Sequence, residues 1–282
     1  MTISAETPYR LRYGAEAAFD VPAEWTEVLE LQLAHRSVRS YRPDPVSDET
    51  LTALIAAAQS APTSGNLQLW SVVAVRDNAR RSRLAHLAGD QGFIEEAPLL
   101  LVWLADLARA RQVTTELASP SPGDPDFSAA EGADFVEAAL LSFVDVALAA
   151  QNASLAAESL GLGTVFVGAI RNRPLDVAAE LGLPSNVFPV FGLTVGHPAD
   201  LTETAVKPRL PQQAVLHHER YALEPQAAHV KAYEDLLNAF YTRAGLPTSW
   251  ITRVAHRFGT TAGLKGREHL RAALKTQGFE LR

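Results

Sequence analysis

Polar and apolar positions along the chain switch repeatedly between helical and strand periods. VPAEWTEVLELQLAHRS, residues 21 to 37, repeats apolar residues at helical spacing and predicts a helix. Ser47 then caps a second helix, with Asp48 and Glu49 in its first turn and Pro62 past its end. LWSVVAV is a β-branched run of strand length, Asp77 caps a short helix, and APLLLVWLAD predicts a strand buried on both faces.

Residues 118 to 132, ASPSPGDPDFSAAEG, concentrate proline, glycine, serine and aspartate and predict a loop. ADFVEAALLSFVDVALAAQNASLAAESLGLG follows, rich in alanine and free of proline, which predicts a long helix buried nearly all round, in a core or between subunits. Glu137, Asp145, Gln151, Asn152 and Glu158 interrupt it, so a membrane span is a poor reading. GTVFVG and FPVFGLTVG predict strands around the helix RPLDVAAELGLP, with Pro174 near its start and Gly182 at its end. Helical pattern returns from about Gln226 to the end. The simplest account is one α/β domain with a mixed sheet and a helical C-terminal excursion at about 226–282.

Composition narrows the function classes. The 25 basic and 32 acidic residues leave a net charge of −7, which disfavours a nucleic-acid coat or an anionic membrane surface as partner. The chain has no cysteine, so thiolate metal sites, iron–sulfur clusters and dithiol chemistry are excluded, and redox work requires an organic cofactor. MTISAETPYRLRYGAEAAFD shows no apolar signal core, which makes the cytoplasm the expected compartment.

Familiar motifs fail on spacing. GLGTVFVG leaves a helix and enters a strand, the wrong context for a Rossmann turn; His217, His218 and Glu219 lack the spacing of a zinc hydrolase, and no metal site is expected. Two stretches remain. HRSVRSY gathers His35, Arg36, Ser37 and Arg39, and APTSGNLQLW gathers Thr63, Ser64, Gly65, Asn66 and Gln68. Basic residues at a helix end usually complement its dipole, and a run like the second is usually a turn. The first is nevertheless the densest candidate for an anion site, and the side chains of the second, with backbone amides, could line a polar ligand's chain and ring edges.

This pair resembles the nitroreductase family, whose members open with arginine-serine-x-arginine and follow with serine-x-asparagine-x-glutamine-x-tryptophan. GDQGF, VALAAQNASLAAESLGLGTVFVGAIRN, FPVFGLTVGHPAD, KPRLP and TRAG with a later SW extend the likeness to the branch of NADPH-dependent flavin reductases and oxygen-insensitive major nitroreductases. It covers residues 35–282 as an FMN-binding domain and leaves 1–34 as an N-terminal extension. The resemblance implies a nitroreductase-like α+β (mixed α/β) fold, a central mixed β-sheet flanked by helices, in an intertwined homodimer.

By the same resemblance His35, Arg36 and Ser37 hold the FMN phosphate, with Arg39 beside them, Thr63, Ser64 and Gly65 line the ribityl chain and phosphate, and Asn66 and Gln68 complete the cofactor-binding stretch. Gly65 stands where serine is usual. Gln91 meets the polar edge of the flavin. Phe166, Val167, Gly168 and Ala169 cover one face and aim an amide at N5, Ala169 replacing a common glycine. Lys207 and Arg209 reach the ring and the phosphate. Arg39 and Arg243 occupy the alignments that meet the NADPH 2′-phosphate, and Arg267 lies near the oxidant. The stretch after Arg243, AGLPTSW, is poorer in arginine than in relatives.

The implied activity is ping-pong transfer of hydride from NADPH through flavin N5 to a small-molecule oxidant: a nitroaromatic, a quinone or free flavin. No side chain need act as nucleophile or acid. The alternatives are a non-enzymatic flavin-binding dimer and a flavin reductase supplying a partner monooxygenase.

Overall fold

The computed structural model describes residues 6–14, 24–118, 121–199, 204–243, 245–246 and 248–282. In chain order the main elements are α1 (Glu6–Tyr13), α2 (Glu27–Ala34), α3 (Asp48–Gln59), β1 (Trp70–Val75), α4 (Asn78–Leu87), α5 (Gly92–Glu96), β2 (Leu99–Asp106), α6 (Ala108–Gln112), α7 (Val136–Ser159), β3 (Gly163–Val167), α8 (Pro174–Leu181), β4 (Val187–Gly196), α9 (Gln226–Arg243), α10 (Trp250–Phe258) and α11 (Leu270–Thr276). They form two compact units, one of residues 1–36 and 202–265 and the other of 37–201 and 266–282.

The second unit is built on a sheet of order β1-β2-β4-β3. β2 lies inside it, and all eight of its residues are buried, as its unbroken apolar run requires. Its residues alternate between two cores. Leu99, Leu101 and Trp103 face α3, α7 and Phe279. Leu100, Val102 and Leu104 face α4, α5 and α8. The expected mixed sheet is corrected in detail. Every ladder is antiparallel, and the parallel component among the described residues is the single bridge Ser37–Thr164. The β2–β4 register slips between Trp103 and Leu104, opposite Phe191 and Pro189. Proline has no N–H for the ladder, so the slip falls where a bond is missing anyway.

Local signals placed the helix ends well. Ser47 accepts the Thr50 N–H and Asp77 the Arg80 N–H. Pro174 starts α8, and Gly182 ends it in the left-handed conformation. α2 is shorter than its pattern: it begins after Thr26, whose hydroxyl caps it, and residues 21–23 lie outside the described residues.

α7 corrects a second expectation. Ala139, Ser142, Val146, Ala149 and Ala153 are buried, but Val136, Leu140, Val144 and Leu148, spaced by four, form an exposed apolar stripe. The helix is long and apolar enough to cross a membrane. Its buried face nevertheless carries Ser142, Asp145 and Ser154 against the sheet, as a core helix does.

In the first unit Arg12 is 4% exposed. Its Nε donates to the Leu33 carbonyl at 2.7 Å, Nη1 to Lys207 at 2.8 Å and Nη2 to His35 at 2.5 Å. The Arg209 N–H returns to the Arg12 carbonyl at 2.8 Å. One buried guanidinium thus joins the end of α2 to the loop at 207–209. The Tyr233 hydroxyl donates to the Pro208 carbonyl at 3.5 Å, and its ring meets Trp250 edge-on at 5.3 Å.

Candidate functional site

The first unit holds His35, Arg36, Lys207, Arg209 and Arg243. Arg12 explains how residues so far apart in the chain share a locality, since the His35 and Lys207 carbonyls are two of its acceptors. Arg209 folds back so that its Nη1 donates to the carbonyls of Lys207 and Pro208. Arg243 lies exposed in the last turn of α9.

In the second unit Ser37 bridges to Thr164, and the Val38 N–H donates to the Thr164 carbonyl at 2.9 Å. This close approach requires Gly163, because a Cβ there would stand 2.7 Å from the Val38 side chain. Val38 packs with Tyr41, Ala97 and Phe93. Arg39 lays its guanidinium over the Phe93 ring, 5.9 Å from the centroid. Gln91 immediately precedes α5, and its Nε2 donates to the Ala88 carbonyl at 3.1 Å. Ser37, Arg39 and the Gln91 turn are therefore gathered beside β3.

β3 ends in Phe166 and Val167, and a 3-10 turn of Gly168–Asn172 follows. Phe166 is 38% exposed between buried neighbours. Its ring rests edge-on against Phe191 at 5.3 Å, which leaves an aromatic surface facing outward. Ala169 is buried. Arg267 is tied to the same turn, its Nε donating to Asn172 Oδ1 at 2.8 Å.

The loop of Thr63 to Gln68 has a different anchor. Asp145, fully buried on α7, accepts the Ser64 N–H at 3.2 Å and the Leu69 N–H at 3.0 Å. Sequence reasoning passed over Asp145 as an interruption of an apolar run. Its signal was there, a carboxylate mid-helix in an alanine-rich stretch, which demands a partner. Within the loop Gly65, Asn66 and Gln68 all have φ between +54 and +57. Glycine at 65 suits that conformation where serine would be strained, and Asn66 and Gln68 hold it as non-glycine residues. The Thr63 Oγ1 is buried without a hydrogen-bond partner among the described residues. An orphaned hydroxyl in a strained polar loop fits a ligand that supplies the missing partner.

Within the second unit the structure does not bring this loop to the end of β3. It leads into β1 at one edge of the sheet, while Phe166 to Ala169 end β3 at the other. Three strand spacings separate the edges, roughly 14 Å. Along the strands the loop meets the sheet at the Val187 end of β4, whereas Val167 pairs with Gly192. That offset adds about 17 Å along the strand.

Residues 33–197 match the model of the nitroreductase family and residues 207–282 that of its C-terminal domain. The chain belongs to the nitroreductase family. It is 38% identical over 259 residues to an FMN reductase [NAD(P)H] of Bacillus subtilis, covering 90% of this chain and 98% of that protein. It is 36% identical over 257 residues to an NADPH-flavin oxidoreductase of Vibrio harveyi, again covering 90% and 98%. Its fold is similar to that of the hypothetical oxidoreductase YcnD from Bacillus subtilis, with a TM-score of 0.83 at 37% identity, over 92% of this chain and all of that one.

Proposed function

We propose that this chain is an FMN-dependent oxidoreductase that takes electrons from NAD(P)H, NADPH in preference, and passes them to nitroaromatics, quinones or free flavin. The names of the Bacillus and Vibrio relatives favour free flavin among these. The observation that carries the reading is the Arg12 clamp, which builds His35 and the Lys207–Arg209 loop into one cationic locality.

FMN, when bound, supplies two-electron chemistry at N5, and donor and oxidant use one pocket in turn. The chain's residues bind and orient. Arg36 and Ser37 hold the phosphate, a planar guanidinium matching two phosphate oxygens. Lys207 would supply a positive charge toward the bound flavin, favouring its acceptance of electrons. Gln91 meets that polar edge with the carboxamide oxygen its bond to Ala88 leaves free. Phe166 to Ala169 cover one face, and Thr63 gives its orphaned hydroxyl to the ribityl chain. No nucleophile or general acid is needed.

The separation between the loop of residues 63–68 and the end of β3 supports a homodimer. One chain supplies the first group and its partner the second, joined across the exposed stripe of α7. Residues 35–282 make the flavin-binding domain, and 1–34 form an extension that braces it through Arg12. A cytoplasmic location accords with a chain free of cysteine.

The test is an anaerobic absorption spectrum of the purified protein before and after one equivalent of NADPH. A flavin spectrum that bleaches is the expected result. A yellow protein that NADPH leaves unbleached would move the non-enzymatic flavin-binding dimer ahead, and one that stays colourless when FMN is added would remove the reading.

A further inference from the structure

A cavity of about 980 Å³ opens in the second unit, bordered by α3, the start of β1, α6 and the first turns of α7. Small-molecule sites span roughly 300–1,000 Å³, so it is large enough for one. Of the residues assigned to the flavin only Gln68 borders it. Its lining is mainly apolar and includes Ile55, Leu69, Trp70, Leu107, Phe127 and Leu141. Leu67 and Val113 on its border are 59% and 48% exposed. Large apolar side chains facing water around a concavity are unfavourable until something covers them.

The walls are braced, so the cavity does not simply collapse. The Trp70 ring packs at 5.5 Å on that of Trp103, which is fully buried. The segment that brings Phe127 to the border is folded by its own amides: the Ala130 N–H donates to the Phe127 carbonyl at 3.0 Å, and the Ala133 N–H to the Ala130 carbonyl at 3.0 Å. Asp134 then ties its end to Arg111 and, at 3.1 Å, to Arg282.

The charges at the border are of one sign. Asp126, Glu131 and Glu137 stand there, and among the described residues none of the three pairs with a cation. Glu137 complements the dipole of α7, and Asp126 accepts the Ser128 N–H at 2.8 Å, but neither contact neutralises a charge. The cation at the border, Arg109, is already engaged. Its Nη2 donates to the Gln68 and Trp70 carbonyls at 2.9 and 2.7 Å, and its Nη1 lies 3.6 Å from Asp106 Oδ2. An apolar, aromatic interior behind a negative border repels phosphate-bearing molecules. It matches a bulky aromatic cation, whose rings take the apolar lining and whose charge meets the carboxylates and the indole.

We propose that this cavity is a binding site for lipophilic aromatic cations, with Asp126, Glu131 and Glu137 as the groups that select for positive charge. None of these three residues is assigned to the flavin or its electron donor, so the site stands apart from the oxidoreductase reading.

The test is titration calorimetry of the flavin-loaded protein with two ions of matched size and opposite charge, tetraphenylphosphonium and tetraphenylborate. The expected result is that one cation binds per chain and that the anion binds about 10-fold more weakly or worse, with the cation's affinity falling as salt is raised. Glu131→Gln/Glu137→Gln, at two exposed positions, lowers the affinity for the cation about 10-fold, as the loss of two surface charge interactions implies, and leaves the flavin content unaltered. Val113→Trp, also at an exposed position, fills the cavity and weakens both ions. Equal affinity for the two ions overturns the inference, as does cation binding that neither variant alters. A loaded protein that binds neither ion overturns it too, and leaves a second copy of the chain as what covers the cavity. A protein that holds no flavin yet binds the cation with this selectivity sinks the oxidoreductase reading and upholds the site.

Discussion

Thr63 is a residue whose hydroxyl is at odds with its surroundings. A buried, unpartnered hydroxyl costs about 1–3 kcal/mol. Thr63→Val, which keeps the shape and deletes the hydroxyl, is expected to raise the melting temperature of the flavin-free protein and to weaken FMN retention. Thermal unfolding of the apoprotein and flavin content after gel filtration check the two halves separately. A variant that gains stability and keeps all its FMN would exclude Thr63 from the ligand shell. At this scale the sequence was partly legible. HRSVRSY and APTSGNLQ stand out by residue type, and KPRLP only through the family resemblance. Arg12 and Asp145 do not, because each acquires meaning only from partners distant in the chain: 195 residues for Arg12 and Lys207, 76 for Asp145 and Leu69.

At the scale of elements, α10 depends on a carboxylate. The Ser249 hydrogen bond, with those from Ile251 and Trp250, holds the Glu234 carboxyl below the usual glutamate range against a smaller opposing effect of burial. A folded-state value below the unfolded one stabilises the fold above the unfolded pKa of about 4.3 and is lost as pH falls through the folded value. Acidification below about pH 4 is therefore expected to loosen α10 from α9. Trp250 fluorescence should follow this, and Glu234→Gln should flatten the response in that window; an identical acid transition in the variant would remove Glu234 from the role. Helix ends were the most legible elements, since Ser47, Asp77, Pro174 and Gly182 act through bonds a few residues away. The pairing of the strands was not, because antiparallel and mixed sheets differ in chain reversal rather than in local pattern. α7 was misjudged for a related reason. Alanine is compatible with a buried face and an open one alike, so the alanine-rich stretch masked the four-residue spacing of Val136, Leu140, Val144 and Leu148.

For the whole molecule that stripe is the seam of the homodimer proposed above. Leu140 is 55% exposed and Val144 56%, neighbouring positions on an apolar face that water disfavours. Leu140→Glu is expected to convert the proposed dimer to a monomer and, if each flavin site draws on both chains as proposed, to release FMN in the same step. Sedimentation equilibrium with absorbance at the flavin band reads both at once. A monomer that keeps its flavin would show that one chain completes the site, and a dimer unaffected by the charge would place the interface elsewhere.

The order of the two units along the chain has a consequence for synthesis. The first unit takes its segments from residues 1–36 and 202–265, so Arg12 waits on the ribosome for a carbonyl 195 residues downstream. At typical elongation rates of about 5–20 residues per second that delay is roughly 10–40 s. During it the strands between can form and pair. The cationic locality that Arg12 organises therefore assembles late, onto a chain whose central sheet has already emerged, and the nascent protein acquires its scaffold before its capacity to hold a ligand.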